Sequence, residues 1–555
     1  MARFFLLFLS TISFACFSSS QRAVHAFFVS PTGSDSQDGL SSISPWRTVH
    51  KVNNAALIPG DTVLFECGGK WLEELRPPTS GSKDAPIVFS AYGAGKDPVI
   101  DAGGSLSGWN IPERWTEVQK EIWHFKTDRF PGRLWLSGRE YGASGNDGGR
   151  GAITPTWRYR WWGNADGLIN VRSDRNPALA FTDVEVAAEG RCAMVISNKA
   201  WLTFHGLQFR RGEICIDVEH GDHLLFDSCK VLGGTAKYGL WLRENSNDGI
   251  IRDCEFDRED TVEHSFEFTG EAGNANGQDN IALQWANRWD IYGNRIIGPG
   301  HDAISMSGEV IQGISRSSRW NRIHDNEIRM TGDYGRFTST NSRDSVGLCS
   351  DNEIFRNVVI GTTVQSQILG KDNFLHDNVF IRCRKVPFDN LDYRSCAVDL
   401  SDYLSTGAEH VRVWNNTFVD CDAHAISISA GTRRASIRGN LIVNTGRLTG
   451  SGGHDFLDHV GIVIWPGATG DTIVGNVIWC EGKNPIVYQQ PGWDANVKQS
   501  VDWLNARDGD HGNVIQGNIG IDPRLGADFR PAKGFLISNV GAMVDDKMIA
   551  KTVSR

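Results

Sequence analysis

Three aspartates recur in one local setting. Asp279 in "GQDNIALQW", Asp302 in "GPGHDAISMSG" and Asp344 in "SRDSVGL" each stand two residues ahead of an apolar pair spaced i, i+2. Aligning every such pair gives the column Tyr238, Asp279, Asp302, Asp344, Cys396, His424, Val460. If the strands that follow are consecutive neighbours in a parallel sheet, adjacent carboxylates lie about 5 Å apart and the outer two about 10 Å apart. Like charges that close cannot all ionise easily, so one carboxyl is expected to keep its proton. A protonated and an ionised carboxyl side by side are what general acid–base work requires. Strict alternation would turn these aspartates inward, where an unpartnered carboxylate is costly. They are therefore expected in the turn before each strand, facing an open groove.

Other side chains gather around this column. His301 adjoins Asp302, and Arg343 adjoins Asp344. Trp241, outward between Leu240 and Leu242, would offer an aromatic platform to a sugar. Tyr393 and Arg394, in "DNLDYRSC", stand on a loop before a strand and could close over the groove. Asp399, outward between Val398 and Leu400, reads as a solvated residue, and His424 as a packed one. The competing structural explanation for an aspartate before a strand is a turn residue that bonds its own backbone.

The elements that must carry these residues are written in a repeat. From about residue 200 the phrases "LTFHGLQF", "WDIYGNRI", "NRIHDNEI", "NFLHDNVF", "VRVWNNTF" and "DTIVGNVI" follow one frame, with asparagine at 294, 326, 357, 378, 416, 440, 476 and 518. Alternating apolar residues argue for strands. The step from Asn357 to Asn378 is 378 − 357 = 21 residues, one bare rung, and longer steps carry inserted loops. Short strands, a rung of this length and a stacked asparagine specify an all-β chain, a right-handed parallel β-helix. The asparagine is expected at a left-handed turn, its amide bonded to the asparagine of the next rung. A β-propeller would need longer blades and hairpin signals that are sparse here.

Composition bounds the partners. The chain has 555 residues, 22% charged, with net charge −10. No basic stripe or arginine run is present, which argues against nucleic acid. The stretch "MARFFLLFLSTISFAC" has one early arginine and an apolar run too short to span a bilayer. With Val24 and Ala26 at the −3 and −1 positions, it reads as a signal peptide cleaved after Ala26, so the protein is expected to be secreted or periplasmic, with no membrane span. Cys229 and Cys254 occupy matching repeat positions and are expected to stack as thiols inside the core rather than to pair.

The segment "FFVSPTGSDSQDGLSSISPWRTVHKVNNAALIPGDTVLFECGGKW" resembles the opening of secreted parallel β-helix proteins of the pectate-lyase-like superfamily, and "DPRLGADFRPAKGFLISNVGA" resembles their closing segment. The resemblance implies a signal peptide over 1–26, an N-terminal cap and first rungs over 27–108, a small Trp-rich β insertion over 109–185, β-helix repeats over 186–530 and a C-terminal cap or tail over 531–555. It implies a carbohydrate-active enzyme with a polysaccharide or oligosaccharide substrate. Locally the chain is similar to polygalacturonase-type hydrolases, which place an aspartate pair before one strand and Gly-His-Gly one rung later. Here Gln278-Asp279-Asn280 and the "GPGH" of His301 stand at those places, with Asp302 where that pattern has glycine and Arg322 the nearest match to its Arg-Ile-Lys triplet. The similarity implies catalytic roles for Asp279 and His301. A glycoside hydrolase using Asp279 with Asp302 or Asp344, without a cofactor, is the leading expectation. The first alternative is a polysaccharide lyase acting on a uronate polymer, with Arg343 and Asp344, or His301 and Tyr393, in the chemistry and Ca²⁺ held by the aspartate column. The second is a non-catalytic carbohydrate-binding surface protein.

Overall fold

The computed structural model describes residues 23–553 apart from 128–130, 141–160, 164–167, 189, 213, 233–237, 258–278, 299–301, 330–334, 346, 363–365, 385–395, 401–406, 448–458, 482, 489–497 and 536–539. Three sheets run along one axis, with fourteen, thirteen and twelve strands among the described residues. The chain visits them in rotation. Asp290–Tyr292 lies in the first sheet, Arg295–Ile297 in the twelve-stranded sheet and Asp302–Ile311 in the thirteen-stranded sheet, before Arg322–His324 re-enters the first. Each of these strands pairs in parallel with the strand one rung on. The fold is a right-handed parallel β-helix.

Its interior consists of columns of like residues. Ile251, Ile291, Ile323, Ile354 and Leu375 stand in exact-register succession through the first sheet and are fully buried. Nearer the N-terminus, Phe89, Phe204 and Phe226 stack with ring centroids 5.2 Å apart. The expected asparagine ladder is present and continuous. From Asn294 to Asn476, each asparagine donates both its main-chain N–H and its Nδ2 to the Oδ1 of the next, at 2.9–3.1 Å, ending on Asn518. The left-handed turn residue, however, is the one before each asparagine. Gly293, Asp325, Arg356, Asp377, Asn415, Gly439 and Gly475 have φ between 52° and 66°. This residue reverses the chain and so aims the following side chain down the axis, which is why Gly, Asp and Asn recur there.

A second ladder lies five residues upstream, at another corner. Asn321 donates to Asn352, and Asn352 to Asn373, in the same two-bond manner. On a later rung the equivalent position is Asp471. Its Oδ1 accepts from Ala435 N at 2.8 Å, its own N–H donates to Asn513 Oδ1 at 2.8 Å, and burial pushes its carboxyl up to about 7.

Appendages dress this core. Between the rung strands Val99–Asp101 and Met194–Ser197 the chain leaves the helix and builds two four-stranded antiparallel sheets with their own core, including Trp115, Phe125, Leu134 and Ile169. Arg211 bolts this insertion to the helix. It pairs with Glu185, lies over the Trp135 ring and has Asp101 3.9 Å from its Nε. At the far end Val540, Ala542, Val544 and Ile549 run back over the outer face of the twelve-stranded sheet. All ten described cysteines are free, and Cys229 N donates to Cys254 Sγ at 3.4 Å, so these two positions stack as thiols. No helix among the described residues is long and apolar enough to cross a membrane.

Two outcomes follow from the ladders. Asn378→Leu removes a fully satisfied rung and should cost about 1–3 kcal/mol in denaturant melts, whereas the same change at exposed Asn110 should cost little. Asp471 has a folded pKa raised above its unfolded value, so its contribution is complete below pH 4 and falls away as pH rises towards 7. Asp471→Asn should therefore flatten the stability profile relative to wild type between about pH 4 and 7 and stabilise the protein by about 2–4 kcal/mol at pH 8.

Candidate active site

The outer face of the thirteen-stranded sheet carries the carboxylates. Asp279 opens the strand Asp279–Gln284 and Asp302 opens Asp302–Ile311, and the register Ile281↔Ile304 sets them opposite each other on neighbouring rungs. Asp302 faces outward because alternation breaks at this point, and Asp279, bonded to outward Ser305, faces the same way. Ala303 and Ile304 both enter the core, as do Phe337 and, buried beside it, Thr338, so the residue before each pair is turned out. The side chains then form a diagonal lattice. Asp279 Oδ2 accepts from Ser305 Oγ at 2.5 Å, and its Oδ1 from Asp302 N at 3.1 Å. Asp302 Oδ2 accepts from Ser339 Oγ at 2.5 Å, and its Oδ1 lies 2.9 Å from Arg336 Nε. Arg336 Nη1 donates to Gln367 Oε1 at 2.8 Å. Each column residue thus holds the outward residue one rung on.

Asp344 does not belong to this column. The strand opposite Asp302–Ile311 is Arg336–Ser342, which places Arg336 across from Asp302. Asp344 lies exposed in the following loop, where its Oδ2 accepts from Val310 N at 2.6 Å. The alignment on apolar pairs passed over the Arg336 strand because its inward residues are Thr338 and Thr340. Both are fully buried, their hydroxyls donating to the carbonyls of Ile304 and Leu369 at 2.7 Å. The following strand, Ser366–Ile368, was passed over for the same reason: an inward serine replaces an aliphatic residue. Replacing a third carboxylate by a guanidinium changes the electrostatics, because Asp302 has its counter-ion within the column.

The groove is also less open than expected. Asp279 is 6% exposed and Asp302 is fully buried. Trp241 faces outward as expected, yet its ring is not a free platform. It stacks on Tyr238 with centroids 5.1 Å apart, has the Arg243 guanidinium 4.8 Å from its centroid, and its Nε1 donates to Gln284 Oε1 at 3.0 Å. Gln284 Nε2 in turn donates to the Tyr238 hydroxyl at 3.1 Å. Burial first, then the charge of Asp279, pushes the Tyr238 phenol up to about 12, so it stands as a neutral hydroxyl at the head of the column. Arg343 is exposed, with its Nη1 3.5 Å from Glu309 Oε2. Asp399 is not solvated: it is 7% exposed and its Oδ1 accepts from Ser429 Oγ at 3.1 Å. His424 is packed as expected, and burial drives its imidazole down to about 3, so it stays neutral. His301, Tyr393 and Arg394 lie outside the described residues. No group of three or more His, Cys, Asp or Glu placed to hold a metal ion occurs among the described residues.

With this geometry in hand, the chain can be set beside known proteins. Residues 191–380 match the family model described as a right handed beta helix region. A lacto-N-biosidase of Bifidobacterium longum subsp. longum is 41% identical over 78 residues, which are 13% of this chain and 5% of that protein; the chain thus spans a small part of that relative's length. Among solved structures, a complex of XylC with xylose superposes with TM-score 0.45 at 12% identity, covering 84% of this chain and 86% of that one. A mannuronic acid specific polysaccharide family 6 lyase from human gut microbiota gives TM-score 0.44 at 11% identity, covering 91% and 95%. The GH136 lacto-N-biosidase of Eubacterium ramulus gives 0.41 at 13%, covering 90% and 68%.

Arg336 and Asp302 are both buried, with side chains 9% and 1% exposed. Arg336→Met would leave that carboxylate without its cation and should destabilise by about 3–5 kcal/mol in denaturant melts. Adding Asp302→Asn to the same chain should recover most of the loss.

Proposed function

We propose that this protein is a secreted carbohydrate-active enzyme, a glycoside hydrolase that works through Asp279 and Asp302 on a polysaccharide or oligosaccharide. The observation that carries the reading is the outward carboxylate pair on neighbouring rungs with unlike support. Asp302 has a guanidinium and a hydroxyl against it, an arrangement that favours the ionised form. The hydrogen bonds drawn above for Asp279 come from a hydroxyl and a main-chain amide, and it is the more exposed of the two. In this reading Asp279 and Asp302 divide the two roles, one carboxyl delivering a proton to the glycosidic oxygen and the other acting as nucleophile or as base for water. With Asp344 outside the column, the spacing of about 10 Å has no second carboxylate. The pair that remains, one rung of about 4.8 Å apart, lies close to the spacing of about 5–5.5 Å associated with retention of configuration and well short of the inverting range. Because both groups lie beneath the surface, sugar contact requires their cover to give way on binding. The 78-residue stretch that is 41% identical to a lacto-N-biosidase supports a carbohydrate-active class.

The lyase alternative is supported less well by these residues. A lyase needs a cation free to meet a uronate carboxylate and a side chain able to take a carbon-bound proton. Arg336 is engaged by Asp302 and Gln367, and a phenol held at about 12 is a weak donor of its oxygen lone pair as base at neutral pH. Arg343, exposed near Tyr238, is the cation that a lyase would use.

Asp279→Asn should lower kcat by several orders of magnitude on the native polysaccharide while leaving the melting temperature within a few degrees of wild type. New reducing ends without the ultraviolet absorbance of an unsaturated uronate are the expected product signal. That absorbance, lost in Arg343→Ala, would replace the hydrolase by the lyase. Near wild-type turnover in both Asp279→Asn and Asp302→Asn would make the column structural. Export is read from the first 26 residues, and secreted material should begin near Phe27 on N-terminal sequencing; a product beginning at Met1 would refute it. His25 and Ala26, which cleavage after Ala26 would remove, pair with Asp61 and Thr62 at the first rung.

A further inference from the structure

A cavity of about 530 Å³ lies on a different face from the carboxylates, where the C-terminal segment crosses the twelve-stranded sheet. Its floor is a register column of outward residues, Val419, Val443 and Trp479. The turn that follows each strand supplies one rim: Asp420, Asn444 and Glu481, with φ of 53°, 52° and 48°. The opposite wall is Asp522, Leu525, Gly526 and Phe529. Elsewhere this outward column is short and aliphatic, as at Ile360 and Ile381, and the tail packs on it. Trp479 is half-buried against the cluster of Leu441, Val443, Val477 and Val540 and lines the cavity. Phe529 has φ of 58°, a conformation a bulky side chain adopts only under constraint, and one that recurs at ligand clamps. Asn444 Oδ1 is shielded from solvent and has no hydrogen-bond partner among the described residues.

We propose that this cavity is a second, non-catalytic saccharide-binding site, specific for neutral sugar units. Its volume suits a short oligosaccharide. An indole and a phenyl ring offer faces to the C–H side of a pyranose, and the rim offers acceptors to its hydroxyl groups. Acceptors alone would also suit a cation, but these carboxylates already have partners. Arg447 Nη1 lies 3.8 Å from Asp420, His459 Nε2 lies 3.5 Å from Glu481, and Asp522 Oδ1 accepts from Arg524 N at 2.8 Å. A uronate would meet three carboxylates, so an acidic polymer is disfavoured. The site would hold a neutral stretch or branch of a polymer while the distant carboxylate column acts on it, and it stands whether or not that column is catalytic.

The test is calorimetric titration of the full chain carrying Asp279→Asn with cellotriose, xylotriose and trigalacturonate. Binding of at least one neutral trisaccharide, with Kd on the order of 1 mM, is expected, and none of trigalacturonate at the Trp479-dependent site. Adding Trp479→Ala should weaken that binding at least about tenfold, and Asn444→Ala should weaken it without a change in melting temperature. Undiminished affinity in both variants, absence of any neutral binding, or equal Trp479-dependent binding of trigalacturonate would each overturn the proposal. If Trp479→Ala melts early, Asn444→Ala alone decides. Turnover is not read in this experiment, so loss of the hydrolase reading would leave its outcome intact.

Discussion

The spacing between rungs, about 4.8 Å in a parallel sheet, governs everything else in this molecule. Parallel pairing in register places each residue type above its like, which turns scattered sequence positions into columns. In the interior this is favourable for apolar side chains and, through the two-bond asparagine ladders, for amides that would otherwise be buried without partners. The same spacing makes a column of charges intolerable unless its members alternate in sign or pass their hydrogen bonds along the sheet.

The outer face of the thirteen-stranded sheet meets that constraint through a lattice. Asp279, Asp302 and Arg336 stand in succession, each bonded to Ser305, Ser339 or Gln367 one rung on. The Arg336 guanidinium lies against Asp302, so the column is not a repulsive stack of carboxylates. A local break in alternation is what turns these groups outward, where they meet Tyr238 and Trp241 instead of the aliphatic core. Asp471 illustrates the opposite case: a carboxyl placed in an asparagine ladder is driven towards its neutral form because burial offers it no cation.

Segments added to the rungs shape the surface of this β-helix. The antiparallel insertion is tied down through Arg211, Glu185 and Trp135, and the C-terminal tail lies along the twelve-stranded sheet beside the cavity that Trp479 lines. Both are places where the regular coil meets an irregular segment, and such junctions create concave surface that a uniform helix lacks.

The amino-acid sequence by itself determined the repeat, and with it the fold. The asparagines at 294 to 518 and the alternating apolar pairs define parallel rungs, since burying one face of each strand leaves no other arrangement for a period of about twenty residues. It also placed Asp279 and Asp302 on neighbouring rungs, because both precede an obvious aliphatic pair. Tertiary structure alone decided the third member of the column. Arg336 precedes Phe337 and two threonines, whose burial is permitted only by carbonyl acceptors on adjacent rungs that no local pattern reveals. It likewise decided that Asp344 caps a loop, that the ring of Trp241 is already engaged, and that a left-handed residue precedes each ladder asparagine. The upstream asparagine ladder was legible in the five-residue spacing of Asn321 and Asn326, Asn352 and Asn357, Asn373 and Asn378. The cavity at Trp479 was not, because its rim at Asp420, Asn444 and Glu481 lies between 522 − 481 = 41 and 522 − 420 = 102 residues before the wall that begins at Asp522, and the two meet only when the tail folds back across the sheet.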